Sequence, residues 1–315
     1  MKNILVLGGT GFVGTQVCKQ LAALGWSVTV PTRSVGQSGA VKTLPQVRLV
    51  ELDVHDAAAL TQAMAGHSAV VNLVAILHGN AAAFDWVHVA LPQKVLQACR
   101  DNRVSELVHV SALGANHQNP EQCPSEYLRS KSRGEAVLLA KPDAAFTPQV
   151  TVLRPSVIFG AQDKFLNMFV KLQKIFPVMP LAGARAKFQP VWVDDVAHAV
   201  AHIVEHKVLA HPHIIEACGP QVFTLAELVQ LSARLSGVRG GLGRPVFALP
   251  DWMGRLQAFL MELAPGEPLM SRDNLDSMKV DNVASGTVAG LQALGITPAR
   301  LEPIAEHYLA RAPVR

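Results

Sequence analysis

One heptapeptide limits what this chain can fold into more than any other feature: Gly8-Gly9-Thr10-Gly11-Phe12-Val13-Gly14. It follows the apolar run Ile4–Leu7, which reads as a strand. It opens a stretch with apolar residues at helical spacing (Val13, Val17, Leu21, Leu24). In a strand–turn–helix setting each glycine has a task. Gly8 permits a tight turn, Gly11 leaves the backbone open to a pyrophosphate, and Gly14 lets the helix sit close to the strand. The helix N-terminus adds N–H donors and the positive end of the helix dipole. The motif therefore predicts dinucleotide binding, with Gly8, Thr10, Gly11, Phe12, Val13 and Gly14 as cofactor contacts.

The residues that follow repeat the alternation. Strands are expected at Ser27–Val30, Val47–Leu52, Ala69–Ile76, Leu107–Ser111 and Val150–Leu153. Helices are expected at Ala57–Ala65, Ala81–Asn102 and Glu126–Ala140. This order predicts an α/β fold with a Rossmann-type, doubly wound parallel sheet over residues 1–153. Residues 154–315 break the rhythm with clustered prolines (Pro155, Pro177, Pro180, Pro190). They read as a smaller, mostly helical lobe that partly returns to the main sheet at about 187–220. There the expected elements are strands at Phe188–Val193 and His213–Cys218 and a helix at Asp195–His206.

Half of the residues are hydrophobic and 17% are charged, a balance suited to a large packed core. The formal charge of +4 is scattered and aromatics are 5%, which points away from a nucleic-acid groove. Cys18, Cys99, Cys123 and Cys218 form no CxxC pair, as expected of a reducing compartment. Lys2 leads straight into a strand, so no leader is expected. No apolar run reaches the roughly 18 residues of a membrane span. A cytoplasmic protein is expected from these features, and a place peripheral to the inner membrane only from the resemblance given below.

The end of the second strand decides the nucleotide. A carboxylate there would hold a ribose 2′-hydroxyl, but no acidic residue precedes Glu51, and Thr32-Arg33 stands in its place. Arg33 would pair with a 2′-phosphate, so NADP(H) is preferred, with NAD(H) as the alternative. Asp53 and Val54, after the third strand, are placed at the adenine edge, although Asp53 could equally cap the next helix. Ala75, late in the run Ala69–Ile76, joins the cofactor contacts.

Tyr127 and Lys131 stand four residues apart in an expected helix and share one face. A phenol with a pKa near 10 is a poor acid–base group at neutral pH, and a neighbouring ammonium favours the phenolate. Ser111 ends the preceding strand, where its hydroxyl could hold a substrate carbonyl. These positions, with the glycine turn and Asp53, resemble the extended and atypical short-chain dehydrogenase/reductases along essentially the whole chain. The runs Val110–Ala115, Tyr127–Lys131, Leu153–Gly160 and Phe188–Val196 resemble more narrowly the branch that holds the Rossmann-fold accessory subunit of respiratory complex I. Bacterial relatives of that branch are labelled NAD-dependent epimerase/dehydratase. The resemblance implies a bound nicotinamide nucleotide, with Tyr127 as acid–base group, Lys131 on the nicotinamide ribose and Ser111 orienting substrate. For the complex I branch it implies a structural role. The turn lacks the Thr-Gly opening of many sugar epimerases, and the C-terminal half shows no nucleotide-sugar signature, so that activity is the lesser alternative.

Arg154 and Ser156 are placed either at substrate or as anchors of the second lobe. Asp194 and Asp195 read as helix caps. His198, His202 and His206 recur every four residues, with His211 and His213 nearby, but no carboxylate or cysteine joins them at a ligand spacing, so no metal is expected. Leu249, Trp252, Met253, Leu256, Leu260 and Leu263 form one apolar stripe, either a lid on the substrate lobe or a surface for a protein or membrane partner. Two functions remain: an NADP(H)-dependent oxidoreductase acting on a small molecule that the sequence does not identify, and a non-catalytic nucleotide-binding subunit or assembly factor.

Overall fold

A computed structural model describes residues 2–140, 146–206, 213–263, 266 and 268–310. Six strands follow the expected alternation: β1 (Asn3–Leu7), β2 (Ser27–Thr32), β3 (Val47–Glu51), β4 (Ala69–Asn72), β5 (Glu106–Val110) and β6 (Gln149–Pro155). They pair in parallel in the order β6-β5-β4-β1-β2-β3, and Ile214–Ala217 and then Ala289–Gly290 extend the sheet beyond β6. The order reverses between β1 and β4, so ligands of such a sheet meet the carboxyl ends of these two strands. Early helices are α1 (Phe12–Ala23) and α2 (Ala57–Met64), followed by α3 (Ala81–Asp85), α4 (Leu91–Asp101) and α5 (Glu126–Leu139). Leu5, Leu7, Leu60, Met64, Val70, Leu91, Val95 and Leu107 form the core between helices and sheet. Each such side chain, fully buried, contributes about 1.5–3 kcal/mol.

Three departures from expectation have local causes. The strand expected over Ala69–Ile76 stops at Asn72, because the Asn72 side-chain oxygen accepts the Val74 N–H and turns the chain out of the sheet. The helix expected over Ala81–Asn102 is interrupted by a π turn at Trp86–Ala90. Pro92 explains it: proline donates no N–H, and in α-helical geometry its ring would strike the carbonyl of His88. The strand expected over Phe188–Val193 is split at Pro190 into Lys187–Phe188 and Val191–Trp192.

The chain divides into two units. The first comprises Met1–Pro155, Asp194–Ala217 and Gly286–Thr297 and holds the sheet. The second comprises Ser156–Val193, Cys218–Ser285 and Pro298–Arg315. Its helices include α6 (Phe165–Ile175), α8 (Leu225–Ser236) and α9 (Asp251–Glu262), while α7 (Val193–His206) lies almost wholly in the first unit. Asn282 knits the second unit together. Its side-chain oxygen accepts from Ser156 Oγ and from the Val157 N–H, and its carbonyl accepts the Gln189 N–H.

Candidate functional site: a nucleotide cradle and a buried polar corner

The turn after β1 has its shape because its glycines are in contact with one another. Gly8 has φ +78°, and a Cβ on Gly14 would lie 2.2 Å from the Gly8 carbonyl oxygen. Gly14 therefore packs against the turn itself rather than against the strand. A Cβ on Gly9 would lie 2.8 Å from Val30 on β2, a constraint invisible without the pairing of β1 and β2. At Gly11 a Cβ would approach only the Gly8 carbonyl oxygen, at 3.3 Å, so its outer side is open. The N-terminus of α1 has no side-chain cap and no acid in its first turn. Its first N–H groups therefore suit an anion, and the residues fit a pyrophosphate. Thr10, Phe12 and Val13 are half-buried around the turn.

At the adenosine end, Arg33 follows β2 and is exposed. Among the described residues it makes no hydrogen bond or ion pair, and its charge helps hold the His55 imidazole below the usual range, after burial and Lys94. Asp53 does not cap α2. Its carboxylate accepts the His55 N–H at 2.9 Å, while Asp56 caps the helix through Ala58 and Ala59. Val54 packs onto the core of the first unit. Beside Asp53, His55 stacks on Trp86 at 4.7 Å, and Lys94 lies 4.4 Å from the centre of the Trp86 ring. The sequence reading did not include this aromatic shelf. Ala75 is exposed on the segment after β4.

The opposite end is a buried polar corner at the carboxyl end of β5. Ser111 is buried and its hydroxyl has no hydrogen-bond partner among the described residues. Lys131, on α5, is 2% exposed and its ammonium donates to the Val110 carbonyl at 3.2 Å. Burial pushes its pKa down to about 8, and Glu135 works against that shift. Tyr127, one helical turn earlier, packs edge-on against Phe84 and His88, with ring centres 6.0 and 5.5 Å away.

Four residues to which the sequence reading gave no role in the site tie this corner together. Ser130 Oγ donates to the Tyr127 carbonyl, so it accepts from His88 Nδ1 at 2.9 Å. His88 Nε2 in turn accepts the Ile76 N–H at 3.2 Å. Acceptance at Nε2 requires a neutral imidazole, and burial, with Lys131 nearby, pushes His88 to about 2. Asn72 Nδ2 reaches His109 Nδ1 at 3.2 Å, which leaves the proton on Nε2. That Nε2 is buried without a partner among the described residues, and His109 lies two residues before Ser111, a spacing that puts both on one face of the extended chain. Burial, then Lys131, hold His109 at about 3. Two unpartnered buried groups and a lysine with one of its three donors bonded to a carbonyl fit a polar ligand. The helix that carries Tyr127 and Lys131 is seated by Gly134, where a Cβ would lie 2.0 Å from the His88 carbonyl oxygen.

Arg154 and Ser156 are engaged elsewhere. Arg154 Nε donates to buried Glu135 at 2.9 Å and Nη2 donates to its other oxygen. Ser156 is the partner of Asn282. Asp194 and Asp195, expected as helix caps, lie instead inside the first turn of α7, which begins at Val193, where their charge complements the helix dipole. His202 and His206 lie side by side on α7, His211 is outside the described residues, and no group of three potential metal ligands is found among the described residues.

A parallel sheet with a glycine cradle at its reversal point and a Ser/Tyr/Lys corner beside it defines a nucleotide-binding α/β protein of the extended short-chain dehydrogenase kind. Residues 4–218 match the NAD dependent epimerase/dehydratase family, and the chain belongs to that family. It is 29% identical over 309 residues to the mitochondrial NADH dehydrogenase (ubiquinone) 1 alpha subcomplex subunit 9 of Mus musculus, covering 94% of this chain and 77% of that protein. It is 26% identical over 308 residues to the mitochondrial NADH-ubiquinone oxidoreductase 40 kDa subunit of Neurospora crassa, covering 96% and 78%. The fold is shared with UDP-glucose 4-epimerase of Thermus thermophilus, solved in complex with NAD, at a TM-score of 0.71 and 19% identity over 99% of this chain and 100% of that one.

Proposed function

We propose that this chain holds a nicotinamide dinucleotide as a structural ligand and serves as an accessory or assembly protein of a respiratory complex of the NADH:quinone oxidoreductase type. The observation that carries the reading is the likeness to mitochondrial accessory subunits along nearly the whole chain rather than over the nucleotide-binding half alone. The engagement of Arg154 with Glu135 and of Ser156 with Asn282 supports it, because of the two roles open to these side chains, substrate contact or anchor, both are occupied in holding the protein together. Arg33, exposed and without a carboxylate partner among the described residues, favours NADP(H).

One observation favours a second reading, an NADP(H)-dependent oxidoreductase. The unpartnered Ser111 hydroxyl and the buried Lys131 frame a place for a carbonyl oxygen, with Tyr127 on the same helix. A bound nicotinamide would exchange hydride there. Tyr127 would exchange the proton at the carbonyl oxygen, Ser111 would hold that oxygen, and Lys131 would favour the phenolate.

Native purification followed by denaturation and mass spectrometry tests both readings. The accessory reading expects NADP(H) released at close to one equivalent, co-purification with subunits of a quinone reductase, and the same nucleotide content and complex yield for Tyr127→Phe. Hydride exchange between added carbonyl compounds and the bound nucleotide that Tyr127→Phe abolishes would overturn it in favour of the second reading.

A further inference from the structure

The second unit carries an apolar surface that its own core does not use. Helix α9 seats on the rest of the unit through its small residues. Gly254 and Ala258 are its buried positions, a Cβ on Gly254 would come within 2.7 Å of the Ala182 side chain, and Ala258 packs with Ala182 and Leu275. The large side chains point the other way: Trp252 is 67% exposed, Leu256 52%, Leu260 58% and Leu263 67%. Their spacing puts them in one stripe along the helix. Of the two roles expected for this stripe, a lid packed inward is therefore ruled out by the direction of its side chains.

The surface continues beyond α9. The strand Val246–Ala248 leads into the helix with Phe247 exposed, and the glycine-rich loop before it carries Leu242 at its tip, 86% exposed. That strand pairs with Met179–Leu181, and the Met179 N–H donates to the Pro245 carbonyl. The pairing brings the exposed Phe176 and Val178 alongside. An apolar surface of this extent is rarely left to water without a partner.

Charge decides which partner. The acids around α9 are neutralised from within: Asp251 and Asp276 pair with Arg255, and Glu262 pairs with Arg272. The cations beside Leu242 are not. Arg239 is exposed and donates to the Gly243 carbonyl, Arg244 donates to the Gln173 carbonyl, and among the described residues neither forms an ion pair with a carboxylate. Projecting leucine, phenylalanine and tryptophan side chains beside unneutralised guanidinium groups suit a fluid, negatively charged interface, whereas a folded partner would need matching hollows.

We propose that this face docks on the headgroup region of an anionic lipid bilayer, with α9 lying in the interface plane and Arg239 and Arg244 against lipid phosphate. No described helix is long and apolar enough to cross a membrane, so the attachment is to one surface. The proposal does not rest on the nucleotide reading.

Flotation of the full chain with vesicles tests it. Wild type should float with phosphatidylcholine–phosphatidylglycerol vesicles and bind phosphatidylcholine alone at least about tenfold more weakly. The variant Trp252→Ser/Leu256→Ser/Leu260→Ser should lose binding to both, and Arg239→Ser/Arg244→Ser should lose the preference for phosphatidylglycerol. All five residues lie outside the cores, so circular dichroism and nucleotide content should match wild type. Brominated lipid chains should quench tryptophan fluorescence in wild type and much less in Trp252→Phe. Absence of flotation, flotation of the triple serine variant like wild type, or a stable dimer that this variant dissolves while neither form binds vesicles would each overturn the proposal.

Discussion

Removing the ammonium of Lys131 should stabilise the protein and weaken its hold on nucleotide. The group is buried and its pKa lies at about 8 in the folded chain against an ordinary 10.5. That gap corresponds to about 3 kcal/mol. Below pH 8 folded and unfolded chains both carry the charge, and the cost of burying it is present in full. Between about 8 and 10.5 the unfolded chain binds more protons, so stability rises with pH; above that range the group is neutral in both states and the cost is gone. Lys131→Met keeps the volume and removes the charge. It forfeits the bond to the Val110 carbonyl, at about 1 kcal/mol, so a net gain of about 2 kcal/mol is expected at neutral pH. Urea unfolding of both proteins without added nucleotide, in steps from neutral to alkaline pH, measures the difference. The advantage of the variant should shrink through pH 8 to 10.5, while its nucleotide affinity at neutral pH should fall if Lys131 holds the ribose as its resemblance to the family implies. Parallel pH profiles, or a variant less stable than wild type at neutral pH, would show that Val110 and Glu135 already compensate the buried charge, and the reasoning would be refuted.

Two further outcomes follow from the geometry. Arg33→Ala should weaken NADP(H) by about 1.5–3 kcal/mol and leave NAD(H) unchanged, since only the 2′-phosphate loses a charge-assisted contact; calorimetry that finds equal affinities for the two nucleotides in wild type would remove the basis for this selectivity. Gly134→Ala should destabilise the protein by about 1–3 kcal/mol, although alanine is the better helix former by about 1 kcal/mol, because its Cβ would lie 2.0 Å from a backbone oxygen; an unchanged melting temperature would mean that α5 can shift at no cost.

Much of this was legible because the information is local. The first unit alternates strand and helix within short windows, and a strand buried on both faces, such as β1, reads as a continuous apolar run. Where a side chain competes with the backbone, periodicity misleads: Ala69–Ile76 is apolar nearly throughout, yet the Asn72 side chain ends the strand halfway. Pro92 announces a break in the long helix, but periodicity does not show that the break takes the form of a π turn. The second unit was harder because its short strands are joined across long separations. Ser156 and Asn282 are 126 residues apart and neither carries a local signal for the other.

The candidate site divides along the same line. The glycine turn and the Ser111/Tyr127/Lys131 set are patterns of spacing, and spacing is what a sequence displays. His88, His109 and Asn72 each have a side-chain partner 37 or 42 residues away, and a histidine in an apolar run looks like any other core residue until that partner is known. These residues also bear on what kind of protein keeps such a corner. Unpartnered buried groups at Ser111 and His109, together with a desolvated lysine, weaken the protein without its ligand. A nucleotide that binds only the folded state offsets that cost in proportion to its concentration over its dissociation constant, whether or not it ever exchanges hydride. Such a polar corner would therefore serve a protein that uses its nucleotide to stay folded as well as one that does chemistry there. An intact Tyr127 and Lys131 are what both histories would leave, and the response of hydride exchange to Tyr127→Phe separates them.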